Sequence, residues 1–284
     1  FSNLTATNED MVSGMRSHGS IRSKSVIAAF QAVDRGFFID QEEIDRTTLY
    51  LDMPLRHRVL HLSAPSIYGT ALEALELQLG ESFLNVGSGT GYFSALVANI
   101  LGPQAMHFGV EIQQSLVEHA RGKLDALGYT GVQLHNCSVF SIDPHSSMRF
   151  AKIYVGAGAS QRSAPTLFSL LQVGGVMVGP FSSTEGFQRL LKVKRLSEVE
   201  FEVCELLAVQ FTPLIHSEAS STSVSLCAPR WNPVNHKRFP VKYRDAVLAV
   251  LILHSRANTL ISLVPKEVWL LEILPRLEFD SFGR

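Results

Sequence analysis

The sequence is poor in charge and in cysteine. Charged residues make up 18% of the 284, and 25 Lys and Arg against 26 Asp and Glu leave a net charge of −1. Proteins that bind nucleic acid or anionic membranes through their overall charge are strongly basic, so the composition gives no support to either class. The three cysteines lie far apart with no Cys-x-x-Cys pair. Their spacing argues against a structural zinc site or a redox pair, and their odd number fits a reducing compartment.

Long apolar segments are missing as well. The longest unbroken apolar run is Ala246–Leu253, and its eight residues fall well short of the roughly 20 that a membrane-spanning helix needs. No signal-peptide pattern is visible, so we expect a cytoplasmic protein without a membrane span. The chain begins with Phe1 rather than Met, which leaves open a targeting segment that has been removed.

Strand-like and helix-like segments alternate through most of the chain. This alternation predicts an α/β fold with a mostly parallel sheet and helices on both faces, followed by an antiparallel strand pair at 188–196 and 201–211. The predicted strands of the parallel part are 83–86, 107–111, 132–135, 152–155 and 176–179, and the predicted helices are 24–33, 71–79, 93–100, 116–127 and 165–171.

The composition changes near residue 216. Residues 216–225 are small and polar, which is typical of a linker, and two very apolar helices are predicted at 243–253 and 266–274. We therefore divide the chain into a domain at 1–216, a linker at 217–239 and an apolar helical extension at 240–284. The first helix of the extension is apolar almost all round, which predicts that it is buried, either on the domain or in a partner.

A glycine-rich loop is the central motif. Gly87, Gly89 and Gly91 directly follow a predicted strand and precede a predicted helix, and glycine lets the backbone turn tightly beside a ligand. Glu111 ends the next strand, where a carboxylate can accept both ribose hydroxyls of an adenosine cofactor. The spacing is tighter than in the loops that cradle a pyrophosphate, which favours a cofactor without phosphates, such as S-adenosylmethionine (SAM). A tight turn without any ligand is the alternative interpretation.

The glycine loop lies within a longer series of sequence blocks. The blocks are Asp34-Arg35, Leu62–Pro65, Leu84–Gly91, Ile153–Ala159, Val173–Gly175 and Ala208–Leu214. In this order they resemble the protein-L-isoaspartate O-methyltransferase family from about residue 11 to residue 215. The resemblance implies a Rossmann-like class I SAM-dependent methyltransferase with a mostly parallel seven-stranded sheet, an N-terminal helical segment and a C-terminal helical appendage.

The resemblance also implies site residues. Ser63 would hydrogen-bond the isoaspartyl carboxylate as the catalytic residue, with Ala64 and Pro65 shaping the substrate loop. The reaction needs no general base, because a carboxylate with an intrinsic pKa of about 4 is already ionised at pH 7. From the residues alone, an ordinary loop or helix-capping serine is the favoured interpretation of Ser63. The implied cofactor-binding residues are Leu62, Tyr68, Gly87, Ser88, Gly89, Thr90, Gly91, Glu111, Asn136 and Cys137.

A metal site is not expected. His57 and His61 have the i, i+4 spacing that suits two ligands on a helix. No third ligand is apparent, and two arginines adjoin the pair. We therefore predict no metal.

The nearest resemblance is to a branch called isoaspartate methyltransferase domain-containing proteins. Three stretches follow that branch, namely His61–Tyr68, Asn85 and Asn136-Cys137. The repair enzymes carry Asp in place of Asn85 and Gly-Asp in place of Asn136-Cys137. These changes remove negative charge near a cationic cofactor. The branch carries C-terminal extensions that resemble SOCS boxes, which recruit cullin ubiquitin ligases, and residues 265–274 also resemble an F-box helix.

Two functions therefore stay open at this point. The first is a SAM-dependent carboxyl O-methyltransferase that acts on L-isoaspartyl residues of damaged proteins. The second is a weakly active or inactive adaptor or scaffold that need not retain SAM. Its tail, residues 240–284, would join a ubiquitin ligase or another large complex.

Overall fold

A seven-stranded sheet forms the centre of the first part of the chain. The computed structural model describes residues 7–39, 44, 46–145, 147–183, 186–215, 223–227, 241–256 and 264–274. The chain divides into two units, Phe1–Leu226 and Cys227–Arg284. Within the described ranges, no helix combines the length and the apolarity that a membrane crossing requires.

Helices and strands alternate along the first unit. The helices are α1 (Asn8–Ser17), α2 (Lys24–Ala32), α3 (Arg46–Leu49), α4 (Pro65–Leu75), α5 (Tyr92–Leu101), α6 (Gln114–Ala126) and α7 (Ala164–Ser169). The strands are β1 (Leu55–His57), β2 (Leu60–Leu62), β3 (Phe83–Val86), β4 (His107–Glu111), β5 (Val132–Asn136), β6 (Phe150–Val155), β7 (Leu171–Ser182), β8 (Gln188–Arg195) and β9 (Phe201–Val209).

The sheet confirms the predicted fold class. Its strand order is β5-β4-β3-β6-β7-β8-β9. The first five strands in this order run parallel, and β8 and β9 add the expected antiparallel pair. The chain moves outward from β3 in one direction to β4 and β5, and then crosses back to β6 on the other side of β3. This reversal leaves a crevice at the carboxyl ends of β3 and β6.

Burial on both faces explains the apolar strand sequences. Every residue of β3, β4 and β6 is buried, as expected for parallel strands that are covered on both sides. One core cluster joins one face of the sheet to the N-terminal helices and includes Phe30 of α2 and Leu96 of α5. The second cluster lies on the other face and includes Phe108, Phe150 and Leu167. The N-terminal helical segment is thus part of the domain's core.

The helix predicted at 71–79 was wrong in its bounds. Helix α4 begins at Pro65, whose fixed φ suits the first helical position. It ends after Leu75, because Glu76 adopts the left-handed conformation with φ 52°. The Glu76 carboxylate pairs with Lys192 of β8 at 2.5 Å. Leu79, expected on the apolar stripe, is 82% exposed.

Part of the predicted linker packs on the first unit. Val224 forms a parallel bridge with Ile142, and the Leu226 backbone N–H is hydrogen-bonded to the Ser147 Oγ at 2.9 Å. The Leu226 side chain is fully buried in the second core cluster. The compact unit accordingly ends at Leu226, and the division at 216, 239 and 240 stays a prediction.

The second unit contains the two predicted tail helices. Helix α8 spans Val241–His254, and a turn at Lys266–Val268 continues as a π-helical segment, Trp269–Ile273. Val247 and Leu274 are buried and form one small apolar cluster. Trp269 is half-buried and packs against this cluster. Leu248 and Ile252 lie one turn apart on α8 and are 47% and 53% exposed within this unit.

Candidate active site

A cavity of about 330 Å³ opens at the carboxyl ends of β3, β4 and β6. Its volume lies within the range of about 300–1,000 Å³ that is usual for small-molecule sites. Its position agrees with the rule that open α/β sheets bind ligands where the strand order reverses.

The glycine loop forms the floor of this cavity. Gly87, Gly89 and Gly91 all have positive φ, at 77°, 52° and 86°, which side chains other than glycine rarely adopt. The backbone N–H groups of Gly87 and Ser88 both donate to the Val110 carbonyl, at 2.8 and 3.1 Å, and hold the loop against β4. A Cβ on Gly89 would meet nothing within 4 Å, whereas one on Gly91 would lie 2.9 Å from the Ala120 Cβ. Gly89 therefore borders open space, and Gly91 serves the packing of the loop on α6.

Glu111 stands opposite the loop and is fixed by the backbone. Its side-chain Oε2 accepts a hydrogen bond from the Gly89 N–H and its Oε1 accepts one from the Gln113 N–H, both at 3.1 Å. Glu111 is only 9% exposed, but it lines the cavity. A carboxylate can accept about four hydrogen bonds, so both oxygens keep capacity for a ligand's hydroxyl groups.

Two buried polar atoms at the cavity wall lack partners among the described residues. The Asn85 Nδ2 donates to the Ser94 Oγ at 2.9 Å, but the Asn85 Oδ1 and the Tyr154 Oη find no hydrogen bond there. Both side chains line the cavity. Burial raises the pKa of the Tyr154 hydroxyl well above its ordinary value, so the group stays neutral. Because buried polar atoms are nearly always hydrogen-bonded, these two indicate a place for a polar ligand.

Of Asn136 and Cys137, the pair expected beside the adenine, only Cys137 borders the cavity. Cys137 lines the cavity, and burial raises the pKa of its thiol to about 11, which keeps it neutral at pH 7. Asn136 does not line the cavity; its Nδ2 donates to the Glu111 carbonyl at 3.0 Å and so supports the strand end that carries Glu111.

Ser63 lies at the opposite wall, with a free hydroxyl. The hydroxyl makes no hydrogen bond to any described residue, and Ser63 is 8% exposed at the cavity surface. Its backbone N–H donates to the Tyr68 Oη at 3.0 Å, and Tyr68 itself lines the cavity. Of the ten predicted cofactor-binding residues, seven border this cavity and Leu62, Gly91 and Asn136 do not; the seven are Tyr68, Gly87, Ser88, Gly89, Thr90, Glu111 and Cys137.

Arg35 holds the loop that carries Ser63 through a hydrogen bond to the loop's backbone, a role that the sequence did not predict. The side chain is fully buried. Its Nη1 donates to the Ser63 carbonyl at 2.8 Å, its Nε to the Leu49 carbonyl at 3.1 Å, and its Nη2 to the Met53 carbonyl at 3.3 Å. One guanidinium thus joins the Ser63 carbonyl to two carbonyls at the end of α3 and just after it, Leu49 and Met53. The Asp34-Arg35 pair was the available signal, but spacing alone does not say what an arginine contacts.

A second, wider cavity of about 730 Å³ adjoins the first at Ser63. Ala64 borders it, whereas Pro65 is buried at the start of α4 and borders neither cavity. The far wall of both cavities is the segment after β9, which includes part of the Ala208–Leu214 block. Two backbone hydrogen bonds, from the Gly158 N–H to the Thr212 carbonyl and from the Leu214 N–H to the Gly158 carbonyl, hold this segment at 2.8 Å each. The residues that border both cavities are Arg56, His61, Ser63, Phe211, Thr212 and Pro213.

The histidines considered as metal ligands are not on a helix. His57 pairs with Leu60, and His61 pairs with Arg56, across the hairpin of β1 and β2. The helical spacing on which that alternative depended is therefore absent. Among the described residues, no group of three or more His, Cys, Asp or Glu side chains could hold a metal ion.

Comparisons with known proteins agree with this architecture. The family model for protein-L-isoaspartate (D-aspartate) O-methyltransferase matches residues 6–219. The chain is 34% identical over 210 residues to a protein-L-isoaspartate O-methyltransferase of Ignicoccus hospitalis, with 74% of this chain and 97% of the relative covered. It is also 34% identical over 212 residues to one of Methanothermobacter thermautotrophicus, covering 72% of this chain and 93% of the relative.

Solved structures support the fold. A Plasmodium falciparum structure described as a protein-L-isoaspartate O-methyltransferase in complex with S-adenosyl-L-homocysteine matches 74% of this chain and 99% of its own at 21% identity, with a TM-score of 0.62. A second protein-L-isoaspartate O-methyltransferase matches 75% of this chain and 67% of its own at 21% identity, with a TM-score of 0.66. From the match over most of the first unit and the identity to curated relatives, this chain belongs to the protein-L-isoaspartate (D-aspartate) O-methyltransferase family.

Proposed function

We propose that this protein is a SAM-dependent carboxyl O-methyltransferase that acts on L-isoaspartyl residues of damaged proteins. The observation that carries the proposal is the meeting of two cavities at Ser63 in a member of this family. One cavity has the glycine loop and Glu111 of a nucleoside site, and the other is open enough for a peptide.

The residues of the first cavity fit SAM. Glu111 has acceptor capacity left for ribose hydroxyls, and its two backbone hydrogen bonds keep the carboxylate in place. The Asn85 Oδ1 is a buried acceptor without a partner among the described residues, which suits a cationic or N–H-bearing ligand. Asn85 and Cys137 replace the acidic residues of the repair enzymes but still offer neutral polar atoms at this wall. When bound, SAM supplies a methyl group on a positively charged sulfur.

The acceptor side needs positioning rather than proton transfer. An isoaspartyl carboxylate is ionised at pH 7, so one of its oxygens can form the new bond without a base. The Ser63 hydroxyl is free to donate to the other oxygen, and the loop that carries Ser63 is held by Tyr68 and Arg35. Correct orientation of two reactants can lower a barrier by about 7–11 kcal/mol, which gives a rigid loop a direct catalytic value.

The direct test is labelled-methyl transfer from SAM to an isoaspartyl peptide beside its aspartyl twin. We expect label in the isoaspartyl peptide and background in the twin, because the acceptor carboxylate is displaced by one carbon in the twin and cannot reach the same place beside Ser63. The label should be lost on mild alkaline treatment, as a methyl ester is. Folded protein that labels neither peptide would contradict the proposed activity.

The tail supports a second role beside catalysis. In the second unit, helix α8 exposes three apolar side chains, those of Leu248, Ile252 and Leu253. Leu248 and Ile252 lie one turn apart, and neighbouring exposed apolar side chains favour an interaction surface. We propose that residues 240–284 act as a SOCS-box-like or F-box-like module that joins the enzyme to a ubiquitin ligase.

The tail is tested by affinity capture of the full chain against cullin-ligase adaptor subunits. We expect capture to be lost on deletion of 240–284 and in the double variant Leu248→Glu, Ile252→Glu, which changes only exposed positions and should leave the helix intact. Methyl transfer by the same variants serves as the control for an intact first unit. Adaptor binding that survives both changes would exclude the tail as the docking element.

A further inference from the structure

The groove beside Ser63 has a positive wall that the methyl transfer itself does not use. Arg56 of β1 and His61 of β2 are direct partners across the hairpin, and directly opposite residues of an antiparallel pair place their side chains on the same face. Both side chains are exposed, and both border the two cavities together with Ser63.

Neither of these side chains has an anionic partner among the described residues. Arg56 makes no hydrogen bond or ion pair there. Among the residues that the structure describes, no Asp or Glu borders the wider cavity, and Glu111 borders only the narrower one. Although the His61 side chain is exposed, partial desolvation beside the cavity wall and then the positive charges of Arg56 and Arg35 lower its pKa from the ordinary value. His61 is therefore neutral at pH 7, and Arg56 supplies the positive charge of this wall.

The chemistry of the reaction says which anion this wall is suited to bind. Methyl transfer forms a bond from a carboxylate oxygen to the methyl carbon and returns the carbon–sulfur bond pair to sulfur. A cation and an anion become two neutral products, and no proton moves. A guanidinium on the reacting carboxylate would stabilise the charged reactants more than the transition state, which slows transfer. A neutral hydroxyl such as that of Ser63 carries a smaller penalty, because a dipole stabilises the carboxylate less than a full positive charge does.

We infer that Arg56, with His61 beside it, binds a second, non-reacting carboxylate of the substrate, so that this protein selects isoaspartyl sites with an acidic residue close by in the sequence. This inference deepens the proposed function and rests on it. The substrate class is an isoaspartyl peptide with a flanking Asp or Glu.

The test compares matched isoaspartyl peptides that carry either Glu or Gln within two residues of the isoaspartyl, on each side in turn. We expect the wild-type protein to favour a Glu peptide by about three- to fivefold in kcat/KM, the upper part of the range for a solvent-exposed ion pair. In Arg56→Gln the ratio should fall to about one. In Arg56→Glu a peptide with Lys at that place should become the better substrate.

Arg58→Gln is the matched control. Arg58 lies in the turn of the same hairpin and borders neither cavity. Its replacement by Gln removes the same charge as Arg56→Gln does. We expect it to keep the preference for Glu. No preference in the wild type, an unchanged ratio in Arg56→Gln, or an equal loss in Arg58→Gln would each overturn the inference.

Binding of the same peptides, followed by fluorescence anisotropy, separates this inference from the proposed function. If no peptide is methylated, the proposed activity fails. A binding preference for Glu peptides that disappears in Arg56→Gln would then still support the anion-binding wall. Equal binding of Glu and Gln peptides, or binding of neither, would overturn it.

Discussion

Replacing Gly89 by Asp is expected to abolish measurable methyl transfer and to weaken binding of SAM at least about 100-fold, a loss of about 2.8 kcal/mol. A Cβ at this position points into open space at the cavity, so the new carboxylate would occupy volume that the cofactor needs. It would also place a second negative charge beside Glu111, whose Oε2 already lies 3.1 Å from the Gly89 nitrogen. Isothermal titration with SAM and the peptide assay measure the two effects.

Gly128→Asp separates this effect from backbone strain. Gly128 has φ 79°, and a Cβ there also meets nothing within 4 Å, but it follows α6 and lies outside both cavities. Asp adopts positive φ more readily than most residues other than glycine, so the two variants carry a similar backbone strain and both should fold. We expect Gly128→Asp to bind SAM like the wild type. Retained SAM binding in Gly89→Asp would refute the assignment of the glycine loop to the cofactor.

Arg35→Met is expected to destabilise the first unit by about 3 kcal/mol and to lower its Tm by about 6–12 °C. Three carbonyls would lose their donor at once, at Ser63, Leu49 and Met53. An unsatisfied buried polar group costs about 1–3 kcal/mol, and methionine fills part of the space but donates nothing. Thermal unfolding followed by circular dichroism measures the loss.

A kinetic measurement separates positioning by Arg35 from stability alone. At a temperature where the variant is folded, a displaced Ser63 loop should lower kcat for the isoaspartyl peptide more than it changes the affinity for SAM. Arg35→Lys should recover only part of the loss, since an ammonium cannot reproduce the planar fork of donors. The exposed Arg162→Met is the control and should change stability by less than about 0.5 kcal/mol. A Tm in Arg35→Met equal to that of the control would contradict this account.

Local sequence predicted the parallel part of the fold well because its signals are local. The strands at 83–86 and 107–111 are short apolar runs that are buried on both faces, and turn residues bound them on either side. The helix at 71–79 was misplaced, since its ends depend on Pro65 as a first residue and on the left-handed Glu76. Glu76 pairs with Lys192 from a strand far along the chain, a contact that no local periodicity reports.

The sequence also predicted the site residues that lie at the ends of neighbouring strands. The glycine loop and Glu111 come together because adjacent parallel strands end at the same edge of the sheet. Leu62, Gly91 and Asn136 were predicted at the cofactor as well, but they do not border the cavity. Leu62 is buried in the core, Gly91 packs on α6, and Asn136 supports the end of β4. A motif contains residues that hold the site as well as residues that border it.

The amino-acid sequence by itself determined the sheet, the glycine loop and the acid that faces it, because each follows from local periodicity or from the end of a neighbouring strand. Tertiary structure alone decided how Arg35 holds the Ser63 loop, how Arg56 and His61 border both cavities, and how the segment after β9 closes the far wall. These contacts join residues that are far apart in the chain. Their geometry depends on how the finished core is packed, which spacing along the sequence does not record.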